Sequence, residues 1–263
     1  MTTLEKLDMN VKQANSDFQA IKDKIEEKGV AIADGTRTAD YASKVDEVYK
    51  AGRKSQYDES WDASSNVIDW TYRFAGAWWN NTTFVPNYDL ILSGNSYCCF
   101  NGNRYYGDLV ELLKNRGITL TTTKVTNCSM LFAYSHFTRI GEIDLTNAVN
   151  LSNTFNSMIY LHTIEKLKVT ADNKFDGAFN SVSALENIII EGTIGQNGFN
   201  VQWSTKLSKA SITSIINALS ATTSGLTVTF SKTAVNNAFS GGSTGEEWIN
   251  LIATKSNWNI SLV

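Results

Sequence analysis

Leu4, Leu7, Val11, Ala14, Phe18, Ile21 and Ile25 succeed one another at alternating spacings of three and four residues, the a/d rhythm of a coiled-coil seam. The helix this predicts is about 33 Å long at 1.5 Å rise per residue. Off the seam lie Glu5, Lys6, Asp8, Lys12, Asp17, Lys22, Asp23, Lys24, Glu26, Glu27 and Lys28, the composition of a solvated face carrying interhelical charges. The pattern predicts a homo-oligomer. One amphipathic helix docked on its own domain is the alternative. Ala14 and Phe18 break a clean Ile/Leu rule for strand number, and a trimer is the expectation.

Gly29 can end this helix in a left-handed cap. A turn at Asp34-Gly35 follows, and then a second helix capped by Thr36 or Thr38, with Tyr41, Ala42, Val45 and Val48 or Tyr49 on its face. That face is too short to stand alone. Gly52 to Ser55 makes a polar break. The next stretch is dense in aromatics: Trp61, Trp70, Tyr72, Phe74, Trp78, Trp79, Phe84, Tyr88, Tyr97 and Phe100 far exceed the 11% of the whole chain. Side chains that bury so much area predict a hydrophobic cap over the first face of a stacked array.

Beyond Phe100 an aromatic residue recurs, followed five or six positions later by an apolar residue and then by apolar residues three and six further on. The copies read Phe100, Tyr106, Leu109, Leu112; Phe132, Phe137, Ile140, Ile143; Phe155, Leu161, Ile164, Leu167; and, shortened by one, Phe179, Leu185, Ile188, Ile190. From Phe137 to Leu161 to Leu185 the period is 24 residues, within the range of leucine-rich repeats. Past Trp203 the pattern changes to a helix from Ser208 with Ile212, Ile215, Ile216 and Leu219 on one face, and a strand from Leu226 to Phe230. A second helix, Glu246 to Thr254, and a second strand, Trp258 to Val263, complete the chain. The predicted fold class is therefore α+β: a coiled-coil anchoring region over residues 1–53, an aromatic-rich cap over 54–101, a leucine-rich-repeat solenoid over 102–204, and a helix-strand C-terminal cap over 205–263.

Charge and composition narrow the function. A net charge of -3 with a pI near 5.5, and no cluster of Lys and Arg among aromatics, argues against a nucleic-acid surface. No apolar run is long enough for a membrane span, and Met1 begins no secretory leader, so the expectation is folding in a cytoplasm without membrane insertion. Cys98, Cys99 and Cys128 are odd in number and lack ligand spacing, which predicts free thiols.

The segments IEEKGVAIADGTRTADYASKVDEV, YRFAGAWWNNTTFVPNYDL, LHTIEKLKV, LENIIIEGTIGQNGFNVQWSTKLSKASITSIINAL and WINLIATKSNWNISLV resemble virion proteins of tailed bacteriophages and prophages that carry BspA-type leucine-rich repeats. The resemblance covers nearly the whole chain. It implies a tail-fibre or head-fibre component in the virion, with a structural and host-surface-binding role and no catalytic residues. Cys98, Cys99, Asn101, Asn103, Tyr105 and Tyr106 depart from the aliphatic-rich repeat start such proteins have.

Candidate chemistry is sparse. Asp58, Glu59, Asp62 and Asp69 offer carboxylates for glycoside cleavage, but no spacing picks out a pair and a solvated acidic surface accounts for them. His136 and His162 fall in different repeats without a third ligand, and Gly192, Gly195 and Gly198 match no nucleotide fingerprint. No catalytic residue, metal or cofactor is expected. Binding is the stronger reading. One residue before the apolar column stand Tyr105, His136 and Tyr160, and three before it Asn103, Tyr134 and Met158. Together with Trp78 and Trp79 they form the candidate host-binding surface, suited to a glycan or a protein, unless half of them are buried spacers in the loops. The expected partners are other copies of the chain, other virion proteins through the N-terminus, and the host surface. A head-decoration or adaptor protein that contacts only virion subunits is the alternative function.

Overall fold

In the computed structural model the described residues are 19, 22, 23, 61–62, 67–68, 70–77, 79 and 89–263. The chain divides into two compact units, Met1–Ser60 and Trp61–Val263. In the first, Gln19, Lys22 and Asp23 are helical, and Gln19 Nε2 donates to Asp23 Oδ1 at 2.7 Å. The seam residues Leu4, Leu7, Val11, Ala14, Phe18, Ile21 and Ile25 lie outside the described residues.

The second unit holds a two-residue antiparallel pair, β1 (Trp61–Asp62) and β2 (Val67–Ile68), and three small parallel sheets. β3 (Leu90–Asn95) pairs with β4 (Leu120–Asn127) across helix α1 (Leu109–Asn115). The second parallel sheet is β5 (Arg139–Asp144), β6 (Thr163–Val169) and β7 (Asn187–Gly192), in the order β5-β6-β7. β8 (Asn200–Val201), β9 (Leu226–Phe230) and β10 (Trp258–Leu262) form the third, interleaved with α2 (Lys209–Ala218), α3 (Lys232–Ala238) and α4 (Glu246–Ala253).

This architecture overturns the expected leucine-rich-repeat solenoid. Such a solenoid needs one strand ladder running through all coils, whereas here the strands fall into separate sheets and four helices interrupt them. Two local causes are visible. Between β4 and β5 the ladder is lost, and Asp144 N instead donates to the Thr122 hydroxyl at 2.9 Å. Beyond β7, α2 closes the edge. Ser211 Oγ accepts from Ile188 N and Ser214 Oγ from Ile190 N, both at 2.9 Å, so the edge amides of β7 are satisfied by helix side chains and cannot recruit another strand. The C-terminal segment also carries α3, a helix additional to the two expected; Ser231 caps it by accepting from Ala234 N.

The aromatic that begins each sequence copy has a common destination. Phe74, Phe100, Phe132, Phe155, Phe179 and Phe199 form a column with successive ring centroids 5.4, 5.1, 5.9, 5.3 and 5.1 Å apart. The Phe100–Phe132 and Phe132–Phe155 pairs lie within 6° of parallel. Beside the column the turns are tied by backbone hydrogen bonds: Phe74 N to Cys99 O, Phe100 N to Leu131 O, Phe132 N to Thr154 O and Phe155 N to Ala178 O, at 2.7 to 2.9 Å. A second set runs two residues on, from Gly76, Gly102, Tyr134 and Ser157 N to Asn101, Ala133, Asn156 and Asn180 O. Ile140, Ile164 and Ile188 are matched in register across β5, β6 and β7 and wholly buried, as is Leu167. The outer face of the same sheet is ionic, with Lys166 between Glu142 (3.4 Å) and Glu191 (3.1 Å).

Leu167→Ala removes a fully buried side chain from the middle strand of this sheet, where the surroundings cannot collapse without breaking strand register. Urea unfolding should show a loss of about 2 to 5 kcal/mol; a loss below half of about 1 kcal/mol would mean the site relaxes in a way the packing does not allow.

Candidate functional site

The turns that hold the phenylalanine column upright also decide which residues face solvent. Each carries left-handed residues, and the position whose N–H begins the second hydrogen-bond set is Gly76, Gly102, Tyr134 and Ser157 in successive turns, with φ of 65°, 64°, 60° and 58°. Glycine takes this conformation freely. For an aromatic side chain it costs roughly 1 to 2 kcal/mol, and Tyr134 is 50% exposed, so little burial offsets the strain. Tyr72, Cys98 and Met130 hold the same left-handed conformation in these turns.

Close to Tyr134 in the same recess are Tyr106 and His136, and their rings meet that of Tyr160. The Tyr106 and His136 rings are 4.2 Å apart, Tyr106 and Tyr160 5.3 Å, and His136 and Tyr160 5.3 Å. Tyr106 is 55% exposed and Tyr160 39%. Gly102, Arg104, Tyr106, Tyr134 and His136 line a recess of about 320 Å³. His136 N donates to the Asn103 carbonyl at 2.9 Å, which fixes the histidine backbone against the neighbouring turn. Its Nδ1 is buried with no hydrogen-bond partner among the described residues. An imidazolium needs acceptors for both N–H groups; burial first, and then the Arg104 charge, hold the His136 pKa below its ordinary value. The ring is neutral at pH 7.

The expected binding residues separate into three groups. Tyr134, His136 and Tyr160 are in the cluster. Trp79, Asn103 and Met158 are buried and cannot line an exposed surface. Trp79 is wedged between Phe74, Phe100 and Phe137, with centroids 5.3, 5.7 and 6.0 Å away. The Asn103 side chain turns back on its own loop, Oδ1 accepting from Tyr105 N at 3.1 Å. Met158 belongs to the core. Trp78 lies outside the described residues.

Tyr105 and Tyr106 exchange the places expected of them. Tyr105 packs half-buried on the core, 6.3 Å from the Phe137 ring, and burial raises its phenol pKa. It folds across Gly107, where a Cβ would stand 2.7 Å from the tyrosine ring. Tyr106 therefore points outward and joins His136 and Tyr160. The signal was present in the sequence: Phe132 to Phe137 spans five positions, and the same five from Phe100 reach Tyr105, not Tyr106. Arg104 and Gly102, which also line the recess, belong to no sequence motif.

Other reactive groups are committed elsewhere. Arg139 donates to Asp108 at 2.9 Å and pairs with Glu165. The Glu142 carboxyl is held below its ordinary range first by the Lys168 ammonium, so it stays ionised. Cys98, Cys99 and Cys128 are buried free thiols, and burial pushes Cys128 up to about 12. Among the described residues no three His, Cys, Asp or Glu side chains gather as a metal site, and no helix is long and apolar enough to cross a membrane. None of the protein-family models, curated proteins or solved structures compared with the chain matches it.

A histidine whose folded pKa is depressed takes up fewer protons than its unfolded counterpart, so stability is lost as pH falls below the ordinary histidine value of about 6.5. Between pH 7.5 and 5.5 the native protein should lose more stability than His136→Gln, measured by urea unfolding at both pH values. Equal losses would place His136 in a better solvated setting than the buried Nδ1 implies.

Proposed function

We propose that this chain is a non-enzymatic binding protein of a bacteriophage virion, held as an oligomer through its N-terminal heptads and engaging the host surface through the Tyr106–Tyr134–His136–Tyr160 cluster. The observation that carries the reading is that Tyr106, His136 and Tyr160, from three separate turns, meet ring to ring at the surface, with Tyr134 lining the same recess as Tyr106 and His136, and that Tyr106 and Tyr134 are each about half exposed. Tyrosine supplies contact area at low entropic cost, and a cluster of it is what binding hot spots favour. One of the four, Tyr134, keeps its place against a backbone penalty. The virion assignment is supported by the sequence resemblance, and the heptad over Leu4 to Ile25 supports oligomerisation. Several copies would raise the effective affinity of weak individual sites.

Two measurements test the proposal. Attachment of the full chain to host cells should fall when Tyr106 and Tyr160 are both replaced by Ala, with little change in thermal midpoint, since both rings are exposed. Unaltered attachment by a folded double variant would favour an adaptor that contacts virion subunits alone. Mass measurement at micromolar concentration should give an oligomer for the full chain and a monomer for the chain beginning at Ser55; a monomer in both cases would remove the coiled coil.

A further inference from the structure

Two Asn-Gly pairs lie among the described residues, Asn101-Gly102 and Asn197-Gly198, and the fold treats them in opposite ways. An asparagine before glycine is open to attack on its side-chain carbonyl carbon by the next backbone nitrogen, because the ring that closes has five members and glycine puts no side chain in the way. At Asn101 that nitrogen is committed. Gly102 N donates to Ala133 O and Gly76 N donates to Asn101 O, both at 2.7 Å, and Asn101 Nδ2 is buried, so the turn must open before the two groups can react.

At Asn197 these restraints are lifted. Asn197 is exposed, and the Gly198 N–H makes no hydrogen bond among the described residues. The fold also requires glycine at 198: φ is +97°, and a Cβ would stand 2.9 Å from Asp176 Oδ1. Thr227 N donates to Asn197 Oδ1 at 2.9 Å. A backbone N–H aimed at that oxygen polarises the carbonyl and takes up the negative charge that attack places on it.

We propose that Asn197-Gly198 is a self-modification site, where the folded chain deamidates through a succinimide while Asn101-Gly102 is preserved. The Gly198 nitrogen gives up its proton and bonds to Asn197 Cγ, the Cγ–Nδ2 bond breaks, and Nδ2 leaves as ammonia. Water, the only co-reactant, then opens either carbonyl of the ring to give aspartate or isoaspartate. Isoaspartate carries the main chain through one additional carbon shortly before β8, in the turn that Thr227 N ties to β9, so it loosens the join between the two strands.

Peptide mapping by mass spectrometry of the full chain, kept folded at mildly alkaline pH, tests the site. Conversion at Asn197 should exceed that at Asn101 by at least about tenfold, the factor for one hydrogen bond that must open before attack. In urea, where local sequence alone acts, the two should convert at similar rates. Comparable rates in the folded chain would overturn the proposal, and so would an equally large difference in urea, since the fold would then not be its cause. The aged chain should have a lower thermal midpoint than the fresh one. Asn197→Gln, whose longer side chain must close a six-membered ring, should keep its midpoint under the same treatment; an equal fall in that variant would overturn the structural consequence drawn for Asn197.

Discussion

The second unit depends on one constraint: each turn must place a phenylalanine directly under that of the previous turn while its backbone amides reach the carbonyls of the next. Phe100, Phe132 and Phe155 satisfy this almost ideally, with rings nearly parallel and within 6 Å. Offset aromatic pairs contribute about 0.5 to 1.5 kcal/mol each beyond their buried area, but the geometric effect matters more. A column of flat rings tolerates no turn of different height. Left-handed residues stand two positions to either side of Phe74, Phe100, Phe132, Phe155 and Phe179. In the first four of these turns they are Tyr72 and Gly76, Cys98 and Gly102, Met130 and Tyr134, and Asn153 and Ser157, each of which donates its N–H to the next turn.

From that constraint comes the surface. A turn pinned by its phenylalanine and by its neighbours' carbonyls holds its outward side chains rigidly, so Tyr106, His136 and Tyr160 meet at reproducible distances although they come from distant parts of the sequence. Preorganisation of this kind lowers the entropic cost of binding. The same rigidity explains how the molecule carries Tyr134 in a strained conformation: the surrounding hydrogen bonds over-determine it.

The sheets are kept short by side chains rather than by loss of strand propensity. The Ser211 and Ser214 hydroxyls accept the β7 amides, and Trp258 Nε1 donates to Ser220 O at 2.9 Å to lock the C-terminal sheet. An array of parallel strands with an open edge would invite association at that edge; α2 removes the hazard on β7 while burying Ile212, Ile215 and Ile216.

The sequence by itself determined which side chains are inside wherever spacing is regular. Ile140, Ile164 and Ile188 could be assigned to one buried column because residues at equal intervals in paired parallel strands share a face, and the phenylalanines that open each copy could be read the same way. It could not determine how far the pairing extends. That depends on whether the amides of β5 and β7 find a strand or a hydroxyl, which packing decides, and it is why the expected continuous solenoid is absent. Tyr105 lies over Gly107 and Tyr106 points outward, as the five-residue spacing from Phe100 allowed, whereas tertiary structure buried Asn103 and Met158, which periodicity had assigned to the surface, and Trp79. The candidate site was thus half legible. Residue type and register pointed to Tyr134, His136 and Tyr160, while Arg104 and Gly102 joined them only because a left-handed turn brings distant segments to one recess, and no local pattern records a long-range hydrogen bond.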